Sequence, residues 1–204
     1  PPPYNGGILH PGKNDATTVG LAGGPLKETI RTTTSDGQWV LQWEFFPTYA
    51  RMTMLEKPAG RSYWFLTEGT PGGEGECPSR PCDLESDDFW TLPNGQSASL
   101  YNPIGGEFNA PEWIYFSDPD VDGPSTAARS LFVIHHDDDQ VYDAYYPFTD
   151  RKMTVFGFGR RQTDNSPGMT ATPNVFTVGL MDETAIGPAT ATINAAYKDL
   201  WVAL

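Results

Sequence analysis

Basic residues are scarce in this chain. Only 13 Lys and Arg stand against 26 Asp and Glu, a formal charge of −13 over 204 residues. A nucleic-acid groove needs a basic stripe that releases counterions, and no Lys/Arg run supplies one, so a polyanionic partner is disfavoured. The same charge favours solubility and attracts cations. Long apolar runs are also missing, and none approaches the roughly 18–20 residues that span a membrane. Windows rich in Ala, Leu, Glu and Lys are few, which leaves little room for helix. Internal repeats and low-complexity tracts are absent. Cysteine is limited to Cys77 and Cys82, in ECPSRPCD. A zinc site would want four ligands and no histidine is near in sequence, while a redox pair is more often C-x-x-C. Two cysteines closing a small Pro-bearing loop read instead as a local disulfide, which points to a secreted or extracellular setting. The chain opens PPPYNGG, with neither an initiator Met nor a signal peptide, and so reads as a processed or trimmed product.

What is present favours short strands. Aromatics make up 13% of the residues, with 19 prolines and 21 glycines as punctuation, and a hydrophobic fraction of 38% argues against disorder. Residues 1–24 are Gly/Pro-rich and weakly patterned, an extended arm carrying His10. LKETIRTTT (26–34), the turn SDG and QWVLQWEFF (38–46) read as a hairpin. YARMTMLE (49–56) and RSYWFLTEG (61–69) extend it to a four-stranded meander. TPGGEGECPSRPCDLESDD (70–88) is a polar loop tied by the cysteines. Further strands follow at FWTL (89–92), EWIYFSD (112–118), SLFVIHH (130–136), MTVFGFGR (153–160) and NVFTVGLM (174–181), before one helix at about 189–199. About nine strands at turn-punctuated spacing predict a single all-β domain over 1–204, an antiparallel β-sandwich.

WEFFPTYARMTML, YWFLTEGTPGG, EWIYFSD, RSLFVIHHDDD and MTVFGFGR occur in this order. As a set they resemble a family of secreted, mostly uncharacterised bacterial β-proteins, over roughly residues 4–181. In that family an N-terminal β segment usually precedes the element seen here as Tyr4, Gly6 and His10-Pro11. That segment resembles the start of galactose-mutarotase-like sandwiches, a superfold that hosts polysaccharide lyases and glycoside hydrolases. The resemblance implies a mutarotase-like supersandwich lacking its N-terminal strands. It leaves open whether another chain supplies a strand or the sandwich is complete without it. The cysteine loop and the DVDGPST insertion depart from the family pattern.

Three constellations carry candidate chemistry. In SLFVIHHDDD, strand alternation puts Leu131, Val133 and His135 on one face and Phe132, Ile134 and His136 on the other. The two histidines therefore cannot share one metal without a bulge. Either is a catalytic acid or base, or a structural histidine held by a carboxylate. The second set is dispersed. Sugar-processing sandwiches need a general acid and base. A uronate lyase adds a group that stabilises the enolate, and a hydrolase uses two carboxyls. His10, His135, His136, Tyr63, Tyr115 and Arg160 are available as catalytic groups, and Trp64, Glu68 and Trp113 for holding substrate. Each also has a plainer reading: tryptophans fill cores, strand tyrosines pack their rings, and a strand-end Arg forms a surface ion pair. The third set is SDPDVDGPS, where Asp118, Asp120, Asp122 and Gly123 match the D-x-D-x-D-G opening of a calcium loop. Position twelve is Arg129 rather than Glu, so a complete EF-hand is excluded. A looser calcium site, helped by Asp137, Asp138 and Asp139, competes with a simple acidic turn.

These readings converge on a secreted carbohydrate-active protein of lyase or hydrolase type, acting on or binding a polysaccharide. Two alternatives stand beside it. One is a non-catalytic, calcium-dependent glycan-binding module. The other is a self-assembling extracellular protein whose N-terminal arm adds a strand to a neighbour.

Overall fold

The computed structural model describes residues 16–68, 87–119, 129–147, 154–161 and 166–198. In chain order its strands are β1 (Ala16–Gly23), β2 (Glu28–Thr34), β3 (Val40–Phe45), β4 (Tyr49–Glu56), β5 (Phe65–Glu68), β6 (Phe89–Thr91) and β7 (Ser97–Ser99). Then come β8 (Ile104–Gly106), β9 (Glu112–Ser117), β10 (Ser130–His135), β11 (Asp143–Pro147), β12 (Thr154–Phe158) and β13 (Asn174–Met181). One helix, α1 (Ile186–Lys198), closes the described chain. The strands form a nine-stranded sheet, β1-β2-β3-β4-β13-β10-β9-β6-β7, and a four-stranded sheet, β5-β12-β11-β8. The result is an antiparallel sandwich, not a barrel. No described helix is long and apolar enough to cross a membrane.

Alternation builds the core between the layers. Ile114 and Phe116 of β9, Leu131 and Val133 of β10, and Phe176 of β13 face Tyr145 of β11 and Phe156 and Phe158 of β12. Phe116 meets Tyr145 with ring centroids 5.3 Å apart, and Phe158 meets Phe176 at 6.2 Å. Fully burying each such ring is worth about 1.5–3 kcal/mol. The alternate residues Trp113, Tyr115, Phe132 and Ile134 line the outer face, where Ala189, Ile193 and Ala196 of α1 cover them. The middle of the large sheet is thus buried on both faces. This explains why SLFVIH reads as an unbroken apolar run rather than as an alternation.

The hairpin at SDG forms as expected. Gly37 adopts φ 71°, and Asp36 accepts from the Thr34 hydroxyl at 2.6 Å and from Gln38 N at 3.0 Å. The meander does not run to four strands. Tyr63 N donates to Met169 O at 2.9 Å, and the chain passes to the other layer, where β5 pairs with β12. The edge of β4 is taken by β13 instead. Residues 16–23, read as part of an arm, form β1 and pair with β2 through Val19 opposite Arg31. β1 is exposed along almost its whole length. Its run ATTVGLAG has no apolar face large enough to announce a strand. α1 begins at Ile186, three residues earlier than read, with Pro188 in a first turn where its missing N–H costs nothing.

Gly179 of β13 lies against the outer-face ring of Phe132. A Cβ there would sit 2.6 Å from Phe132 Cε1 and 3.0 Å from Tyr49 Cβ. Gly179→Ala should therefore destabilise the sandwich by about 1–3 kcal/mol, seen as a lower urea midpoint at an unchanged m-value.

Candidate functional site

The strand pair β9–β10 places Glu112 directly opposite His135, both on the inner face. His135 Nδ1 donates to Glu112 Oε2, and His135 Nε2 donates to Asn174 Oδ1 at 2.8 Å. Asn174 Oδ1 also accepts from Val175 N at 2.9 Å, which fixes it as an acceptor. Burial raises the pKa of Glu112 as well, so the pair holds a single proton between the Glu112 carboxyl and His135 Nδ1. Its ring stacks on Phe176 at 4.9 Å and lies 5.5 Å from Phe158. Burial opposes the charge, but the bonds to Glu112 and Asn174 outweigh it and hold the His135 pKa above its ordinary value. His135 and Glu112 are each only 1% exposed.

The aspartate run behind β10 folds back over this pair. Asp139 N donates to Glu112 Oε1 at 3.0 Å, and Asp139 Oδ1 accepts from Val141 N at 2.7 Å, an Asx turn. Two further acids join. Glu107 has both carboxyl oxygens buried without a hydrogen-bond partner. Burial first, then the charges of Glu112, Asp139 and Asp138, push its pKa to about 7. Asp143 is 1% exposed. Its Oδ1 accepts from Gly159 N at 2.8 Å while its Oδ2 is buried and unpartnered. Burial, reinforced by Glu112, Glu107 and Asp139, raises Asp143 to about 9. Carboxylate oxygens of Glu107, Glu112 and Asp138 lie within 4.8 Å of one another, as do ligand atoms of Glu112, His135 and Asp139. Glu107 also lines a groove of about 230 Å3 together with Pro93, Asn94, Gln96, Gly105 and Asn109.

The other expected site residues are not gathered here. His136 points to the opposite face, as alternation requires. Its Nε2 meets Thr177 Oγ1 at 2.9 Å and its ring stacks on Tyr197 at 5.0 Å. Burial, then the charge of Arg51, lowers its pKa to about 3, so it is neutral. Tyr115 and Trp113 are sealed under α1, and the Tyr115 hydroxyl donates to Thr184 O at 3.2 Å. Trp113, expected to hold a sugar, and Tyr115, expected to be catalytic, are thus both buried rather than open to a substrate. Arg160 lies on the outside of the small sheet, donating to Val155 O at 3.0 Å over the Tyr146 ring. It too is remote from His135. The Tyr63 hydroxyl is tied to Ala171 O at 2.7 Å, and burial raises its pKa to about 12. Trp64 is half-buried, and Glu68 is exposed at the end of β5.

Asp118 sits just past the far end of β9, its N–H on Arg129 O at 2.9 Å. Six residues of strand separate it from Glu112, a span of about 20 Å. Asp137, Asp138 and Asp139 leave from the other end of the hairpin, away from Asp118. Asp120, Asp122, His10, Cys77 and Cys82 lie outside the described residues. Glu107, Glu112, Asp143 and Asn174 did not emerge from the sequence. Their one signal is that acids punctuate otherwise apolar strands, at the start of EWIYFS and of DAYYP. No protein-family model, curated protein or solved structure matches the chain.

Two measurements follow from this electrostatic arrangement. Breaking a buried pair from one side costs about 3–5 kcal/mol, so Glu112→Gln should lower the unfolding free energy by that amount at pH 7, read from urea denaturation. The pH dependence has a definite sign. The folded pKa of Asp143 is raised, so its stability contribution is present below 3.8 and is lost as pH climbs toward about 9. His135, also raised, loses its contribution as pH passes its folded value. His136, lowered to about 3, acts only below 6.5 and is silent above it. In metal-free buffer, stability should therefore fall between pH 7 and 9, by at most about 1.4 kcal/mol per pH unit for each group. Asp143→Asn should flatten that fall, and an unchanged slope would contradict the assignment.

Proposed function

We propose that the protein is a secreted, non-catalytic glycan-binding β-sandwich whose ligand lies in the groove beside Glu107. The observation that carries this reading is the groove itself, whose lining includes Asn94, Gln96 and Asn109 together with Pro93 and Phe108. A sugar residue presents hydroxyls that both donate and accept, together with an apolar C–H face. Side-chain amides answer the first and the apolar wall answers the second. At about 230 Å3 the groove is smaller than an enclosed small-molecule pocket, which suits contact with one or two residues of a longer glycan. The similarity to secreted bacterial β-proteins related to mutarotase-like sandwiches points to the same ligand class.

The lyase or hydrolase reading finds less support. Both described histidines are held by internal hydrogen bonds, and neither Tyr115 nor Arg160 stands beside them. Acid–base catalysis needs a proton-transfer group within hydrogen-bond reach of the substrate. The charge of −13 favours a neutral glycan over a polyuronate.

Calorimetry against a panel of neutral and acidic polysaccharides tests the reading. A neutral glycan should bind, and Gln96→Ala or Asn109→Ala should weaken binding at least tenfold without altering the fold. Unsaturated-uronate absorbance and reducing ends, followed on the same panel, should stay flat. Turnover that disappears in a folded His135→Ala variant would overturn the non-catalytic assignment.

A further inference from the structure

We propose that Glu107, Glu112 and Asp138 form a binding site for a hard divalent cation at the end of the sandwich, separate from the SDPDVDG loop. The three residues come from different segments: the stretch after β8, the first residue of β9, and the loop after β10. One carboxylate oxygen from each lies within 4.8 Å of the other two, close enough for a single ion to touch all three. Proximity of acids is not sufficient by itself, and two further observations point to an ion. Both oxygens of Glu107 are buried with no hydrogen-bond donor. Native proteins leave few buried polar atoms unsatisfied, least of all on a group that can carry charge.

The second observation comes from the opposite layer. Asp143 shares the inner face of β11 with Tyr145, while Glu112 shares the inner face of β9 with Ile114 and Phe116. The two carboxyls therefore project into the same interlayer space from opposite sheets. Asp143 is 1% exposed, and its Oδ2 has no partner. A buried carboxyl that shares a space with other carboxyls must either hold a proton or meet a cation. His135 is the one basic group described there, and Glu112 and Asn174 already engage both of its nitrogens.

The donor set selects the kind of ion. In the group of Glu107, Glu112 and Asp138 every protein donor is a carboxylate oxygen, with water to complete the shell. Oxygen-only sets suit calcium, magnesium or manganese and disfavour zinc and copper. The donors sit on a loop and a strand end rather than in a rigid octahedral cage, which favours calcium over magnesium. Asp138 is exposed, so the ion has a route in from solvent.

The inference does not depend on the glycan reading, and its test uses metal alone. The full chain, stripped of metal, is titrated with Ca2+, Mg2+, Mn2+ and Zn2+ by calorimetry and by thermal melting. Calcium should bind saturably and raise Tm, with magnesium weaker. Glu107→Gln and Asp138→Asn should each weaken calcium at least tenfold with an unchanged far-UV spectrum, while Asp118→Asn leaves affinity as it was. Three results would overturn the proposal: wild-type protein that binds no hard cation, Glu107→Gln protein that binds like wild type, or zinc as the tightest ion. Loss on Asp118→Asn with retention on Glu107→Gln would assign the ion to the other loop and likewise sink it.

Discussion

The ion pair between His135 and Glu112 holds one end of this sandwich together. It joins the last residue of β10 to the first of β9. Through Asn174 it adds the start of β13, and through the N–H of Asp139 it adds the returning loop. A charged pair withdrawn from water is stable only if its remaining donors and acceptors are also met. Here both ring nitrogens have acceptors, and each Glu112 oxygen accepts one hydrogen bond. The stacked Phe176 ring keeps water from competing. The pair is thus a structural bolt that ties three strands and a loop.

The sandwich was legible where a single strand's own pattern decides the outcome. SLFVIHH announces a buried strand, and alternation alone places its two histidines on opposite faces. That separation is what the hydrogen bonds show, with His135 on Glu112 and His136 on Thr177. What a strand's outer face meets is a different question. Trp113 and Tyr115 alternate correctly with Ile114 and Phe116, yet only the docking of α1 decides that they are buried rather than open to a ligand. The partners of His135 were out of reach for the same reason. Glu112 and Asn174 stand 23 and 39 positions away, and only the β9–β10–β13 register brings them together. β1 was unreadable for a local reason, since a strand exposed on both sides has no apolar period to display.

Register also settles how the acidic segments relate. SDPDVDGPS and HHDDD stand close together in the sequence, which invites a joint cation site. In an antiparallel pair, however, the end of one strand lies beside the start of the next. Asp118 therefore closes the hairpin end next to Arg129, while Asp137 to Asp139 leave from the end next to Glu112. The aspartate run finds its neighbours instead in Glu107 and Glu112, which a linear reading assigns to a Gly/Asn/Pro-rich stretch and a strand boundary.

The same geometry makes the groove and the acid cluster one object. Glu107 belongs to both: its backbone segment walls the groove, and its carboxyl turns inward toward Glu112 and Asp138. His135 can balance at most one of the surrounding carboxylates, so the rest must either keep their protons or share a cation. Keeping protons matches the raised values of Glu107, about 7, and Asp143, about 9. Sharing a cation would instead draw Glu107 ionised against Glu112 and fix the segment from Gly105 to Asn109 that forms one groove wall. Whatever occupies the acid cluster therefore sets the shape that a ligand meets. The link runs through one side chain, on a backbone anchored to β11 by the pairing of Gly106 with Asp143.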